Sequence, residues 1–468
     1  MRRFGCFVAV SFFLSAAPTA FAQKRPITEK DLLEFNWIGD PQVSPDDSRV
    51  VFVKVSVNEK KDGYDTSLWS VPTKGGEAPR RITSGNHDSS PRWSPDGKWL
   101  VFVRAGDSPA QPGAAASSAQ QLYLLPTSGG ESWRITDLPK GASGPVWSPD
   151  SKTIAFSSTT SPDDLAKKDR KSGDKAGANE PGAPERESDV RVITRSVYRI
   201  NGGGYLDPKH PAHIWVLSLP QSSGETAKPR RLTSGPFSEG RIFWSRDSTR
   251  ILFTTQRVSD PSYELPRTEI YSVPLAGGEP EKILTIHMGA GAMSLSQDGK
   301  RAAFCAGTEE PVRSYSQPHL WVVDLAANAQ PRNITPNFDF DICSGVFGDQ
   351  GTPRAGGSDE VLWSPDGSTL TTITGREGKA ILVAVDVASG KMSDITRGNQ
   401  AVERYRATAD PSRFVVLIST PTIIGDLFVV DRAGGRTQLT RINEELFSKL
   451  NLTEPEEIWY KSFDGKKI

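Results

Sequence analysis

Three arginines spaced by four, Arg191, Arg195 and Arg199, stand in the stretch RVITRSVYRINGGGYLD, residues 191–207. In an extended strand this spacing sets all three on one face. Guanidinium groups so arranged grip a carboxylate through paired, charge-assisted hydrogen bonds. Tyr198 and Tyr205 flank them, and Gly202, Gly203 and Gly204 loosen the backbone between. Arg195, Tyr198 and Arg199 are therefore the candidate substrate-binding residues. The alternative is a solvated hairpin that only extends a pair of strands.

No other grouping has the make-up of a catalytic centre. A G-x-S-x-G nucleophile elbow is absent. The histidines are His87, His210, His213, His287 and His319, and none sits in an H-E-x-x-H pattern. His210 and His213 are spaced closely enough to share a metal, but Pro208 and Pro211 disfavour a helix there, so loop and strand-edge positions are expected. Asp339 and Asp341 alternate along an expected strand and would face one side. A calcium ion asks for more oxygen ligands than these two supply. No catalytic residue, metal ligand or cofactor is expected in this chain.

The elements that position such residues are written in a repeat. Its clearest copy is PRWSPDGKWLVFV, residues 91–103. Ser94-Pro95-Asp96-Gly97 has the composition of a tight turn, with Pro at its second position and Gly free to go left-handed. Related turns begin at Ser44, Ser148, Ser245, Ser296, Ser364 and Ala409, which makes seven. An apolar run follows each, then a strand of the type Leu68-Trp69-Ser70-Val71, then an ending such as Arg81-Ile82-Thr83. Several runs are apolar at consecutive positions, as at Val50 to Val53, so both faces of the sheet must be covered. Four-stranded units packed radially meet that demand. The expectation is an all-β fold, a seven-bladed β-propeller over residues 38–441. The Trp before four of the turns, Trp93, Trp147, Trp244 and Trp363, is read as packing between blades.

Two stretches interrupt the repeat. Residues 159–190 are charged, small and nearly free of large apolar groups, which predicts a flexible insertion. Residues 348–359, GDQGTPRAGGSD, read as a shorter flexible loop. Ahead of the repeats, residues 23–37 hold a helical segment, ITEKDLLEF, with Thr28 and Asp31 as a capping pair and Ile27 stapled to Leu32.

The 468 residues carry 56 basic and 56 acidic side chains, a balance that gives no electrostatic case for a nucleic-acid partner. Arg2 and Arg3, the apolar core Phe4 to Leu14 and the small residues of Ala20-Phe21-Ala22 predict a signal peptide over 1–22. The mature chain would start at Gln23 and be periplasmic or secreted. Cys6 lies too early for a lipoprotein, and no stable membrane insertion is expected. Cys305 and Cys343 remain, either as a disulfide or as two buried thiols.

The last residues, IWYKSFDGKKI (458–468), read as a strand, an Asp464-Gly465 turn and the start of a second strand. Together with ITEKDLLEFNWIGDPQVSPDDSRVVFV, the WSPDG and RIT repeats, YRINGGGYLD and LFSKLNLTEPEEIWYKSFDGKKI, they give the chain its likeness. It resembles the propeller part of the prolyl oligopeptidase family of serine peptidases, in the acylaminoacyl and dipeptidyl peptidase branch. The resemblance implies that residues 442–468 are a linker and the first strand and turn of an α/β-hydrolase domain. It also implies that the family's Ser, Asp and His belong to that domain and that the chain alone is inactive. The propeller would screen peptide substrates and partner the hydrolase domain. A stand-alone periplasmic binding propeller, similar to the Tol translocation propeller protein, is the second reading.

Overall fold

The computed structural model describes residues 24–106, 119–173, 190, 192–201, 204–220, 228–260, 263–308, 310–311, 313, 315–346, 350–357 and 359–468. The expected signal peptide lies outside them.

The fold is mostly β. Sheet A pairs Asn36–Val43, Arg49–Val57, Tyr64–Pro72 and Arg80–Arg81 antiparallel in chain order. Four more four-stranded sheets follow: B over 88–134, C over 143–231, D over 239–286 and E over 291–333. Apart from the small pair Arg199–Ile200 and Gly204–Tyr205, the remaining strands form one eight-stranded sheet. Its halves, F over 362–394 and G over 401–438, are joined only by the parallel pair Ala380↔Ala401.

The second strands carry the apolar runs, and the runs are buried at consecutive positions. Val50, Val51, Phe52 and Val53 are all 0–1% exposed. Phe102, Phe156, Phe253 and Phe304 recur at the place of Phe52, each fully buried. Every apolar cluster is shared between neighbouring sheets. Val51 and Leu68 of A meet Leu100 and Phe102 of B. Ala303 and Leu320 of E meet Leu370 and Ile381 of F. Val50 and Phe52 of A meet Val415 and Leu427 of G, so the first sheet packs against the last and the set closes on itself.

The repeated turns have a second task. In the six turns that begin with Ser, its hydroxyl donates to the Asp and accepts the amide five residues on, as Ser94 does with Asp96 (2.6 Å) and Trp99 (3.0 Å). Where the last turn residue is not Gly it still takes a left-handed φ: Asp47 58°, Ser151 61°, Ser248 60°. That conformation costs a non-glycine residue about 1–2 kcal/mol. Here the side chain reaches the neighbouring sheet. The Ser151 hydroxyl accepts the Asp96 amide (3.0 Å), Ser248 accepts that of Asp150 (3.2 Å), and Asp47 accepts that of Ala409 (2.7 Å). The Trp before the turn acts likewise. The indoles of Trp93, Trp147 and Trp244 donate to the carbonyls of Gln42, Arg92 and Val146 on the preceding first strand.

The Thr that ends most repeats replaces a missing strand bond. Thr83, Thr136, Thr233, Thr335, Thr396 and Thr440 accept the amides of Leu68, Leu122, Ile214, Leu320, Leu382 and Leu427. In sheet B the Thr136 hydroxyl donates to Gln121 (2.8 Å). In G the same place holds Asp426, which accepts from Thr440 (2.6 Å) and from the Ile442 amide (3.1 Å). Burial pushes the Asp426 carboxyl up to about 6.

Three local expectations are corrected. Residues 31–34 form a four-residue 3-10 turn rather than an α-helix. The Thr28–Asp31 pair does form (2.7 Å), but Asp31 also binds Arg25, and Ile27 and Leu32 stay exposed, so no apolar staple lengthens the turn. Within the insertion expected to be flexible over 159–190, Pro162–Gly173 forms helix α1, while residues 174–189 lie outside the described residues. Ser161 and Asp164 cap each other reciprocally (2.9 and 3.2 Å), and Leu165 packs on the cluster between B and C. The Gly-rich stretch over 348–359 is anchored at its described residues, as detailed below. Cys305 and Cys343 form a disulfide with Cα atoms 6.4 Å apart.

Two predictions follow from the turns and from Asp426. Ser248→Ala keeps the left-handed strain and loses the acceptor, so it should lower stability by about 1 kcal/mol, whereas Ser248→Gly relieves the strain and should be nearly neutral. Urea unfolding that ranks glycine below alanine would refute this account. A buried carboxyl titrating near 6 stays protonated in the fold while the unfolded chain has released its proton. Stability from this site is therefore present below about pH 4 and lost, by roughly 3 kcal/mol, as pH rises from there through 6. Asp426→Asn keeps the acceptor, so it should flatten that part of the stability–pH curve and raise stability at pH 7.

Candidate functional site

In an antiparallel four-stranded order, the connection from second to third strand and the exit of the fourth lie at one end of the sheet. That end is termed the upper face; the Ser-Pro-Asp turns lie at the other. The longest connections are on the upper face, and so are the candidate residues.

The arm that carries them joins Thr153–Ser158 to His213–Ser218, the second and third strands of C. α1 begins it, tied down by Lys168, which donates to the carboxylate and the carbonyl of Asp137 (2.5 Å each). His210 lies between two carboxylates, Nδ1 2.6 Å from Asp207 and Nε2 3.4 Å from Asp164. His213 instead opens a strand, is 3% exposed, and has its pKa lowered to about 4 by burial and by Arg231. The two histidines therefore occupy different environments.

Arg199–Ile200 pairs with Gly204–Tyr205 as a small hairpin. The Tyr198 and Tyr205 rings are 6.1 Å apart, and the Arg199 guanidinium lies 5.6 Å from the Tyr205 ring. Strand pairing is confined to Arg199 and Ile200, so Arg195 does not share a strand face with Arg199 as the spacing suggested. Arg191, Gly202 and Gly203 lie outside the described residues. The arm exposes Val192, Ile193, Val197, Ile200 and Leu206 along with its tyrosines. Arg199 and the two rings thus form one exposed patch, with Arg195 exposed four residues earlier.

A cleft of ≈ 470 Å³ opens on the upper face between E and F. Tyr315, Phe340, Asp339, Asp341, Arg376 and Glu377 line it. Asp339 and Asp341 thus meet, but through a loop rather than the strand expected for them. The Tyr315 hydroxyl donates to Asp341, which pushes the phenol up to about 12. Arg376 is paired with Asp394.

A third group was not foreseen. Asp40, on the first strand of A, is buried and accepts from Arg92 on the first strand of B (2.7 Å) and from Gln42 (2.7 Å). Arg406 on the first strand of G approaches it to 3.4 Å and also pairs with Asp359, which Arg404 approaches to 3.7 Å. Glu360 binds Arg241 of D (2.7 Å). Sequence spacing carries no sign of these pairs; only the repeat phase, which puts these arginines on first strands, hinted that they converge.

The C-terminal stretch crosses the same face. Asn443 exchanges two hydrogen bonds with the backbone of Asn36 (2.9 and 2.8 Å), and Phe447 packs edge-on against Phe35. Glu454 accepts from Thr422 (2.9 Å), and Glu457 pairs with Lys379 (3.4 Å). Residues 460–468 make the expected hairpin, Tyr460 and Ile468 exchanging backbone bonds around Gly465 at φ 81°. Ile458, Tyr460 and Phe463 project from it into solvent.

No family model matches the chain. It is 26% identical over 452 residues to the uncharacterized peptidase YuxL of Bacillus subtilis, covering 95% of this chain and 63% of that protein. It is 22% identical over 481 residues to dipeptidyl-peptidase 5 of Porphyromonas gingivalis, covering 98% and 62%. The chain thus spans less than two thirds of the length of these relatives. Among solved structures it is similar to the acylaminoacyl peptidase of Pyrococcus horikoshii, with TM-score 0.63, 17% identity, and 94% of this chain and 58% of that one covered. A puromycin-hydrolyzing peptidase of Mycobacterium tuberculosis gives TM-score 0.56 at 14% identity, with 96% and 60% covered. The relatives and structural neighbours of this chain are peptidases of the prolyl oligopeptidase and acylaminoacyl peptidase family.

Proposed function

We propose that this chain is the substrate-screening portion of an exported serine peptidase. In this reading sheets A to E and halves F and G are the blades of a seven-bladed propeller, and an α/β-hydrolase domain supplies nucleophile, base and acid. What carries the reading is that residues 442–468, which resemble the family's lead into the hydrolase domain, run across the face that bears the arm and the cleft. A hydrolase domain docked there would close a chamber walled by the arm, and only peptides or unfolded segments would enter. That the relatives are peptidases favours a peptidase over a stand-alone binding propeller.

Within the chamber, Arg195, Tyr198 and Arg199 hold the peptide without taking part in bond breaking. A guanidinium clamps a carboxylate or carbonyl, and the tyrosine rings cover an apolar side chain. Such contacts act mainly on binding.

The test has two parts. The 468-residue chain should not react with a fluorophosphonate probe, because no activated serine is assigned to it; stoichiometric labelling would end the proposal. In the protein with its hydrolase domain, Arg199→Ala should raise KM for peptides about tenfold, roughly 1.4 kcal/mol, and change kcat little. Unchanged peptide kinetics with a large fall in melting temperature would make Arg199 a structural residue.

A further inference from the structure

Half F has an anomalous first strand. Leu362–Trp363 is two residues long, where the first strands of the other sheets run to five to eight. Its upper part has not vanished. Earlier residues take the place: Ile342 pairs antiparallel with Thr374, the Cys343 amide donates to the Ile373 carbonyl (2.8 Å), and the Thr374 hydroxyl donates to that of Asp341 (2.7 Å). Residues 344–346, 350–357 and 359–361 therefore belong to an excursion launched from within a first strand. The disulfide from Cys343 to Cys305 ties its departure point to sheet E.

First strands adjoin one another around the inside of the closed set, as those of A, B and G do. The excursion touches several of them. Gln350 donates to the Thr420 carbonyl at the end of G's second strand (3.0 Å), and Thr352 to the Ile38 carbonyl on A's first strand (2.7 Å). The Gly356 carbonyl accepts from Arg404 of G (2.7 Å) and from the Asp40 amide of A (3.4 Å). Asp359 pairs with Arg406. Glu360 reaches Arg241 of D, and Val361 donates to the Ala292 carbonyl of E (2.9 Å). A segment bonded to the first strands of A, D, E and G lies across the middle. Its approach is close: a Cβ on Gly39 would stand 2.3 Å from the Ala355 carbonyl oxygen.

The same contacts bear on the join between first and last sheets. Sheet A uses only residues 36–81 and half G only 401–438, so no strand is shared across that seam. Apolar packing and the turn contacts of Asp47 hold it from outside. Inside, Gln350 and Thr352 hold one side each, and Arg406 links Asp359 to Asp40.

We propose that residues 350–357 and 359–361 are a crossbar that blocks the bore of the ring and clasps the seam between A and G. This rests on the ring arrangement given under the proposed function, and not on peptidase activity.

The test is hydrogen exchange followed by mass spectrometry on the full chain. In the wild type, segments covering 350–361 should exchange about a hundredfold more slowly than the exposed arm at 192–206, and trypsin should not cut after Arg354. Asp359→Asn removes the charge that Arg406 shares with Asp40. It should speed exchange at least tenfold in 350–361, 36–43 and 401–407, leave sheets B and C unchanged, and expose Arg354 to trypsin. Should that variant fail to fold, Thr352→Val, which loses the bond to Ile38 alone, should give the same pattern more weakly. Wild-type exchange over 350–361 as fast as the arm overturns the crossbar, as does acceleration spread evenly over all sheets. Rapid wild-type exchange of 36–43 and 401–407 would instead overturn the ring itself, and with it the crossbar.

Discussion

Each sheet is apolar on both of its faces, and the architecture depends on that. A sheet with one wet face can end a stack; a sheet whose second strand buries Val50, Val51, Phe52 and Val53 in succession cannot. It needs a neighbour on either side, and so does that neighbour. The condition is met without a free apolar face only when the last sheet returns to the first. The cluster shared by Val50, Phe52, Val415 and Leu427 is that return. At ≈ 25 cal/mol per Å² of apolar surface removed from water, such seams outweigh any single polar contact.

Polar groups then refine what burial demands. Left-handed Asp47, Ser151 and Ser248 are unfavourable as isolated residues, yet each satisfies an amide of an adjacent turn. Most repeat units close on a Thr whose hydroxyl takes a strand amide that has no backbone partner. These bonds are local to the rims and leave the upper face free for long connections. The arm, the cleft and the C-terminal stretch all use that freedom.

The centre of the ring follows a different logic. Asp40, Asp359, Arg92, Arg404 and Arg406 are charged groups largely withdrawn from water, and such groups persist only when paired. Their pairing brings together strands that share no backbone bonds. Partners drawn from different sheets make the arrangement specific to one ring geometry. A register slip in any first strand would strand a charge.

How much was legible follows from distance along the chain. The turns, the two-sided apolar runs, the inter-sheet Trp and the hairpin at 460–468 are each encoded within about a dozen residues, by turn chemistry and side-chain period. The sequence alone therefore determined the repeat, the strand order within it and the two-sided burial. It offered Arg195, Tyr198 and Arg199 only as candidates, and not that strand pairing would stop at Arg199. Composition misled over residues 162–173, because a reciprocal Ser161–Asp164 cap and one half-buried Leu165 suffice to set a helix in a charged stretch. It misled again at 348–359, where Gly permits close approach to other strands as readily as it permits freedom. Asp40 and Arg406 are 366 positions apart, and no local pattern records that they meet. Tertiary structure alone decided the central charge cluster, the path of residues 350–357 and 359–361 and the loop that carries Asp339 and Asp341 into the cleft. Each depends on where separate first strands and loops converge, and that is fixed only when the ring closes.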